Sequence, residues 1–280
     1  MKSQWECVLE NLGEWVGSFT TVTPQGELIE DIPSIIKLSG IRDNQAIHLV
    51  LNRFYPLPNS TETYAKEVVW DFSTPPGVGA TYFETGAFSS GALTVYLGAK
   101  TIAEFSLRAG DRRFRMIQTF DIAQQLDRVT FVREHLAGTT TPELPHSDIA
   151  DLVGTWNGTA TTLYADDRPA IEAKTDSTFR VSDTGYQLIE QDNLSDLTIN
   201  PDVPAARVWH FINSSDDQSY QLLLLPDGGY SITPIKIKLG HAFDLEIGWI
   251  HQTNHRQRLV RRYDSSGKWE SATFFVEQID

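Results

Sequence analysis

Leu12-Gly13-Glu14-Trp15-Val16-Gly17-Ser18-Phe19-Thr20-Thr21 recurs 141 residues later as Val153-Gly154-Thr155-Trp156-Asn157-Gly158-Thr159-Ala160-Thr161-Thr162. Similarity at a fixed spacing is the mark of a repeated unit and has to be settled before any fold assignment. Further blocks keep the same order. Val69-Trp70-Asp71-Phe72 faces Val208-Trp209-His210-Phe211, Gly86-Ala87-Phe88-Ser89 faces Gly228-Gly229-Tyr230-Ser231, and Leu97-Gly98 faces Leu239-Gly240. Glu104-Phe105 faces Glu246-Ile247, and Arg115-Met116 faces Arg258-Leu259. The spacings stay between 139 and 143, as expected for one unit copied once.

Outward from each tryptophan the pattern is that of strands. Trp15, Gly17, Phe19 and Thr21 alternate onto one face, and Pro24-Gln25-Gly26 turns the chain. Extended runs are expected at 32–39, 46–51, 63–72, 80–84, 92–97, 101–108, 112–120 and 127–135, separated by clusters such as Ser73-Thr74-Pro75-Pro76-Gly77. The second half repeats this with runs near 154–164, 171–182, 185–191, 205–212, 219–225, 230–239, 242–250, 255–264 and 268–278. Before each tryptophan lies room for one short helix, over residues 3–11 and again over 148–152 with Ser147 as its cap. Antiparallel meanders of this kind must close or pair to remove their edges, and a barrel is the simplest closure. The expectation is an all-β chain of two tandem up-and-down barrels: an N-terminal barrel at 1–138, a linker at 139–146 carrying Pro142 and Pro145, and a C-terminal barrel at 147–280.

Composition narrows the function classes. Hydrophobic residues at 40% and charged residues at 21% describe a globular chain of 280 residues. A formal charge of −14 repels nucleic acid and anionic membrane surfaces, so neither is expected as a partner. Cys7 is the single cysteine, which excludes an intrachain disulfide and a cysteine-built zinc site. The start Met1-Lys2-Ser3-Gln4-Trp5-Glu6 lacks the apolar core of a signal peptide, and no run approaches the ~20 apolar residues of a membrane span. A cytoplasmic protein without a cofactor is the expectation.

A short helix followed by Gly-x-Trp at the first strand of a meander, here Gly13-Glu14-Trp15 and Gly154-Thr155-Trp156, resembles the lipocalin and calycin pattern. The duplicated arrangement looks like the two-barrel lipocalin-like proteins of cyanobacteria and plants. The resemblance implies that Trp15 and Trp156 close the floors of the barrels, with Gly13 and Gly154 beside them. It also implies an arginine packed over each indole, for which Arg115 and Arg258 are the candidates.

The candidate ligand-binding residues are Trp70, Trp209, His210, Glu104, Arg115, Glu246 and Arg258. With a turn at Ala109-Gly110, Glu104 lies directly opposite Arg115, and a bulge near Gln252-Thr253-Asn254 restores the same pairing for Glu246 and Arg258. Facing the lumen, each pair offers an arginine to a ligand carboxylate; facing outward, it is a wall ion pair. Trp70 and Trp209 are either pocket walls or core, and His210 beside Trp209 would distinguish the two pockets. His48 and Arg53 could polarise a bound carbonyl if both are luminal. His210, Arg256, Arg258 and Arg262 point to a more polar second barrel. His251 and His255, with His241 as a third ligand, are too sparse for metal to be expected, and no nucleophile motif or phosphate loop is present.

Two functions follow. A barrel lumen or interbarrel cleft with aromatic walls binds a small hydrophobic molecule such as a pigment, isoprenoid or fatty acid. The alternative is a cofactor-free enzyme on a polyene or tetrapyrrole, because the resemblance extends to carotenoid cyclases and hydratases and to bilin lyases. A third arrangement, with both lumens filled by large side chains, would make the chain a rigid interaction module.

Overall fold

The computed structural model describes residues 2–57, 61–73, 78–145, 148–166, 168–182, 185–190, 193–199, 207–213 and 218–279. Helix α1 (Gln4–Leu9) is closed at its start by a capping box: the Ser3 hydroxyl accepts from the Glu6 N–H while the Glu6 carboxylate accepts from the Ser3 N–H. It turns Cys7 and Val8 inward beneath the first sheet.

The strands of the first half are β1 (Gly13–Val22), β2 (Leu28–Ile41), β3 (Ala46–Pro56), β4 (Thr63–Ser73), β5 (Ala80–Tyr82), β6 (Phe88–Gly91), β7 (Thr101–Ala109), β8 (Arg112–Phe120) and β9 (Leu126–Leu136). They pair in the order β4-β3-β2-β1-β9-β8-β7-β6-β5, so β4 and β5 stand as the two edges of an open sheet. In the second half a single 3-10 turn (Ile149–Leu152) takes the place of α1. Ser147 lies outside the described residues; Asp148 caps this turn through the Ala150 N–H. The strands β10 (Gly154–Tyr164), β11 (Ile171–Ser182), β12 (Gly185–Glu190), β13 (Asn193–Ile199), β14 (Val208–Asn213), β15 (Gln218–Leu224), β16 (Gly229–Pro234), β17 (Phe243–Gln252), β18 (His255–Tyr263) and β19 (Trp269–Ile279) follow. β10 pairs with both β11 and β19, which closes this sheet into a barrel. The all-β fold of two matching halves read from the sequence is what the chain adopts, but the first sheet stays open where a closed barrel was expected.

Three elements differ from the periodicity reading. The expected strand at 92–97 is replaced by β6 at Phe88–Gly91, and the segment after it crosses to the other half, where the Val95 N–H donates to Gly267 O and the Trp269 N–H to Leu93 O. β13 was not foreseen, because Asp196 and Ser195 interrupt its apolar pattern; it pairs with β12 and β14. The β7–β8 turn falls at Gly110-Asp111, since Ala109 pairs with Arg112 and Gly110 takes a positive φ of 61°.

Alternation along β7, β8 and β9 sends Phe105, Leu107, Phe114, Met116, Val129 and Phe131 to the convex side of the first sheet. There they form one continuous core with Leu245, Ile247, Trp249, Leu259 and Phe274 of the second half. Phe114 stacks on Trp249 at 6.0 Å between ring centroids. Polar groups pin the same seam: Gln118 Nε2 donates to Ser231 Oγ at 2.9 Å and to Glu246 O at 2.8 Å, and buried Arg112 pairs with buried Asp227. Arg261, fully buried, donates to Gly79 O at 3.1 Å and to Ser89 Oγ at 3.3 Å. The halves share an interior as well as a linker.

Candidate functional site

The concave side of each sheet is built on its tryptophan. Gly13 and Gly154 hold φ of 135° and 138°, a region L side chains rarely enter, and this bend aims the next inward residue, Trp15 or Trp156, at the floor. Each indole N–H is satisfied by the preceding turn, Trp15 through Asn11 O at 3.0 Å and Trp156 through Leu152 O at 2.9 Å. Two residues on, Gly17 and Gly158 have no substitute: a Cβ at Gly17 would overlap the carbonyl of Arg133, and one at Gly158 that of Val276. The cross-strand partners of these glycines are Glu134 and Glu277, whose side chains occupy the space so left.

Each of these two glutamates is shared by two arginines. In the first half Glu134 accepts from Arg113 Nε at 2.7 Å and from Arg115 Nε at 3.2 Å, and Arg115 reaches on to Glu104 at 3.1 Å. In the second, Glu277 accepts from Arg256 Nε and Arg258 Nε, both at 2.9 Å, and Arg258 reaches Glu246 at 3.2 Å. Burial alone would push the Glu134 and Glu277 carboxyls up, but the paired guanidinium charges outweigh it and hold both below the usual carboxylate range. The expected pairs Glu104–Arg115 and Glu246–Arg258 therefore exist and point inward. They are diagonal and not directly opposite, because Glu104 faces Ile117 and Glu246 faces Val260.

The arginine over the indole is not the one expected. Arg113 lies 4.4 Å from the Trp15 ring and Arg256 4.4 Å from the Trp156 ring, whereas Arg115 covers Phe19 and Arg258 covers Phe275. Arg113, Glu134 and Glu277 escaped the sequence reading, and Arg256 entered it only as one of the polar residues of the second barrel, although each pair repeats at the spacing of 143 already found for Arg115 and Arg258.

The matched tryptophans of the middle strands have different surroundings. Trp209 is 3% exposed, within a buried cluster with Phe179, Phe211, Tyr220, Leu222 and Tyr230. Trp70, on the open edge strand β4, pairs with Leu49 on the concave side and is 45% exposed. His210 cannot share a pocket with Trp209, since adjacent strand residues face opposite ways; burial lowers its pKa. His48 and Arg53 are likewise split: His48 Nδ1 meets Asp71 at 2.7 Å on the exposed convex side, and Arg53 faces inward over Phe19 at 5.4 Å. Arg262 is on the surface with Asp244 and Glu270, so the polar residues thought to crowd the second lumen reduce to Arg256 and Arg258, both matched in the first.

A separate cavity of about 170 Å³ lies between the halves, bounded by Gln4, Cys7, Tyr82 and Phe83 on one side and Thr161 and Phe274 on the other. Burial pushes the Cys7 thiol up and carries the Tyr82 hydroxyl to about 12. His251 and His255 stand 6.2 Å apart by ring centroids, and among the described residues no three His, Cys, Asp or Glu side chains converge as a metal-holding group. Nor is any helix among them long and apolar enough to cross a membrane.

Residues 1–139 match the family model "Domain of unknown function (DUF3598), N-terminal", and residues 143–279 match "Biogenesis factor required for ATP synthase 1, C-terminal domain". The crystal structure of a DUF3598-family protein from Nostoc punctiforme, described as being of unknown function, is 35% identical, covers 100% of both chains and superposes with a TM-score of 0.88. A putative AttH from Nitrosomonas europaea aligns over 95% of this chain and 91% of its own at 8% identity; its TM-score of 0.18 bears no weight. No curated protein matches.

Proposed function

The chain belongs to the DUF3598 family, and from its two unequal halves we propose that it binds a small hydrophobic ligand, such as a pigment, isoprenoid or fatty acid, on the concave side of the N-terminal sheet. The observation that carries this reading is Trp70, 45% exposed on an inward-facing row where its copy Trp209 is sealed at 3%. An aromatic wall left uncovered on a concave surface offers the apolar area that drives association, at about 25 cal/mol per Å² buried. The lipocalin-like reading of the first half as a ligand barrel is part of the same proposal, whereas in the second half Trp209 lies within a buried cluster. The cavity between the halves is the weaker location: about 170 Å³ accommodates a benzene-sized molecule, whereas drug-sized ligands occupy roughly 300–1,000 Å³.

The test is mass spectrometry of the organic extract of the protein purified from its native host. A co-purifying lipid or pigment is expected, and Trp70→Ala should reduce its recovery several-fold; an extract no different from a control protein would overturn the proposal. Recovery of the molecule in chemically altered form would move the reading to the catalyst alternative.

A second reading rests on the match of residues 143–279 to the ATP synthase biogenesis factor. In it the closed barrel is a rigid docking module for a protein partner, and the full chain should retain ATP synthase subunits on an affinity column.

A further inference from the structure

Strand β4 is the longer free edge of the first sheet. β3 pairs with all 11 of its residues, from Ala46 opposite Ser73 to Pro56 opposite Thr63, and among the described residues no strand lies on its other side. Every second residue therefore presents its N–H and C=O outward. Proline, a bulge or a short length commonly blunts such an edge, and β4 has none of them: its register with β3 is unbroken and no residue in it takes a positive φ. Tyr64, Ala65, Lys66 and Glu67 are exposed one after another. Because successive side chains point to opposite faces, neither face of this stretch packs on the rest of the chain. The β3–β4 hairpin stands clear there, with Tyr55 stacked on Tyr64 at 5.5 Å.

The second half shows what the edge takes. β14, which carries Trp209 as β4 carries Trp70, is paired on both sides, by β13 and by the 7 residues of β15. The counterpart of β15 in chain order is β5, which has 3 residues and pairs with β6. The strand that completes the second barrel is thus too short in the first, and an antiparallel strand from outside the chain fits the place.

We infer that this strand is β4 of a second copy, so that two β3–β4 hairpins join edge to edge about a two-fold axis at Val68. Such a contact is isologous and closes as a dimer. With Val68 opposite itself, all 11 residues of each strand overlap. Tyr64 then meets Phe72 and Lys66 meets Trp70, an aromatic pair and a cation beside an indole. Glu67 meets Val69 and Asp71 meets Ala65, so no like charges stand directly opposite. Slips of two residues are opposed by charge, since one sets Glu67 on Glu67 and the other sets Glu67 on Asp71. A slip of one residue would set the inner face of one strand beside the outer face of the other. The net charge of −14 on each copy opposes the approach and makes the dimer weak and concentration-dependent. Pairing of this kind adds strands in the plane of the sheet and leaves the concave side open, so it does not depend on the ligand reading.

The test is sedimentation velocity of the full chain over a range of concentrations, alongside Val68→Lys, Val68→Glu and their equimolar mixture. The native chain should pass from monomer to dimer as its concentration rises through the micromolar range. Each variant sets like charges face to face and should stay monomeric, and the mixture should recover the dimer as a one-to-one pair. In a second measurement a short bismaleimide should join two copies of Val68→Cys in far higher yield than two copies of Ala65→Cys, native Cys7 being buried. The two Ala65 positions lie 71 − 65 = 6 residues apart along the ladder, roughly 20 Å. A native chain that is monomeric throughout would overturn the inference, even if it captured an extended peptide of another protein along β4. A dimer that persists in both charged variants would place the contact on another face and overturn it as well. Equal cross-linking of the two cysteine variants would overturn the register about Val68, whatever the charged variants do.

Discussion

Arg113 and Arg256 lie at the same distance from their tryptophans, yet Arg113 Nη2 has no acceptor whereas Arg256 Nη2 reaches Ser177. The residue across from Trp15 in register is Ile36, and the one across from Trp156 is Ser177. The same divergence runs up the wall: Trp209 is enclosed by a closed barrel, and Trp70 stands on the edge of an open sheet. The second copy satisfies the edge of its floor arginine through Ser177, while Thr175 Oγ1, the counterpart of Ser34, is buried without a partner there as well. The first leaves one edge of Arg113 without an acceptor and its copy of the indole, Trp70, uncovered.

What both copies retain is the shared carboxylate, and its loss should produce the largest effect. Glu134→Gln and Glu277→Gln each leave two buried guanidiniums without their common counter-ion, and each should cost about 3–5 kcal/mol of unfolding free energy in denaturant titrations. Near-equal losses would confirm that the floor cluster is a structural element common to both halves. If Glu134→Gln were tolerated and Glu277→Gln not, the first cluster would belong to the site alone.

Trp209→Ala and Trp70→Ala separate core from wall. Truncating the buried indole should cost about 3 kcal/mol, and truncating the exposed one no more than about 0.5 kcal/mol. Comparable losses would place Trp70 in a core and remove the ground for a ligand there.

The sequence disclosed the duplication because Gly13, Trp15 and Gly17 answer to backbone and packing constraints that both copies still obey. It also disclosed that Glu104 and Arg115 meet, since residues two apart on paired strands share a face even when the turn is misplaced by one position. It hid the role of Glu134, because a glutamate flanked by Arg133 and His135 reads as part of a solvated surface. It hid the difference between the barrels as well. Whether Trp70 is covered depends on the pairing of β4 and β5, a long-range property that a local pattern of alternating residues does not encode.

Ser177→Ala converts the second floor to the state of the first by removing the acceptor for Arg256 Nη2. A buried donor left unsatisfied should cost about 1–2 kcal/mol, measurable as a shifted denaturation midpoint at constant slope. A variant as stable as the native protein would mean that water replaces the hydroxyl, and the bare Arg113 edge in the first half would then carry no penalty either.

A pH-dependent effect concerns His251, beside Trp249 and near Arg112 of the first half. Burial, with the positive charge of His255 and Arg112 nearby, lowers its pKa from 6.5 to about 4. Its copy of the β-turn in the first half, at Gly110-Asp111, carries no histidine. Below pH 6.5 the unfolded chain takes up a proton that the folded chain refuses, so this contribution to stability is complete above pH 6.5 and is lost as the pH falls toward about 4. After allowance for solvent at the turn, the loss should be on the order of 1 kcal/mol. Glu134 and Glu277, with carboxyls held below the usual range, begin to lose theirs as the pH falls below 4.5, at the acid end of the histidine window. His251→Gln should therefore flatten the stability profile between pH 6.5 and 4 and leave the steeper acid limb unchanged. A profile that keeps its slope in the variant would place the proton uptake at another group and remove the seam between the barrels as a pH-sensitive contact.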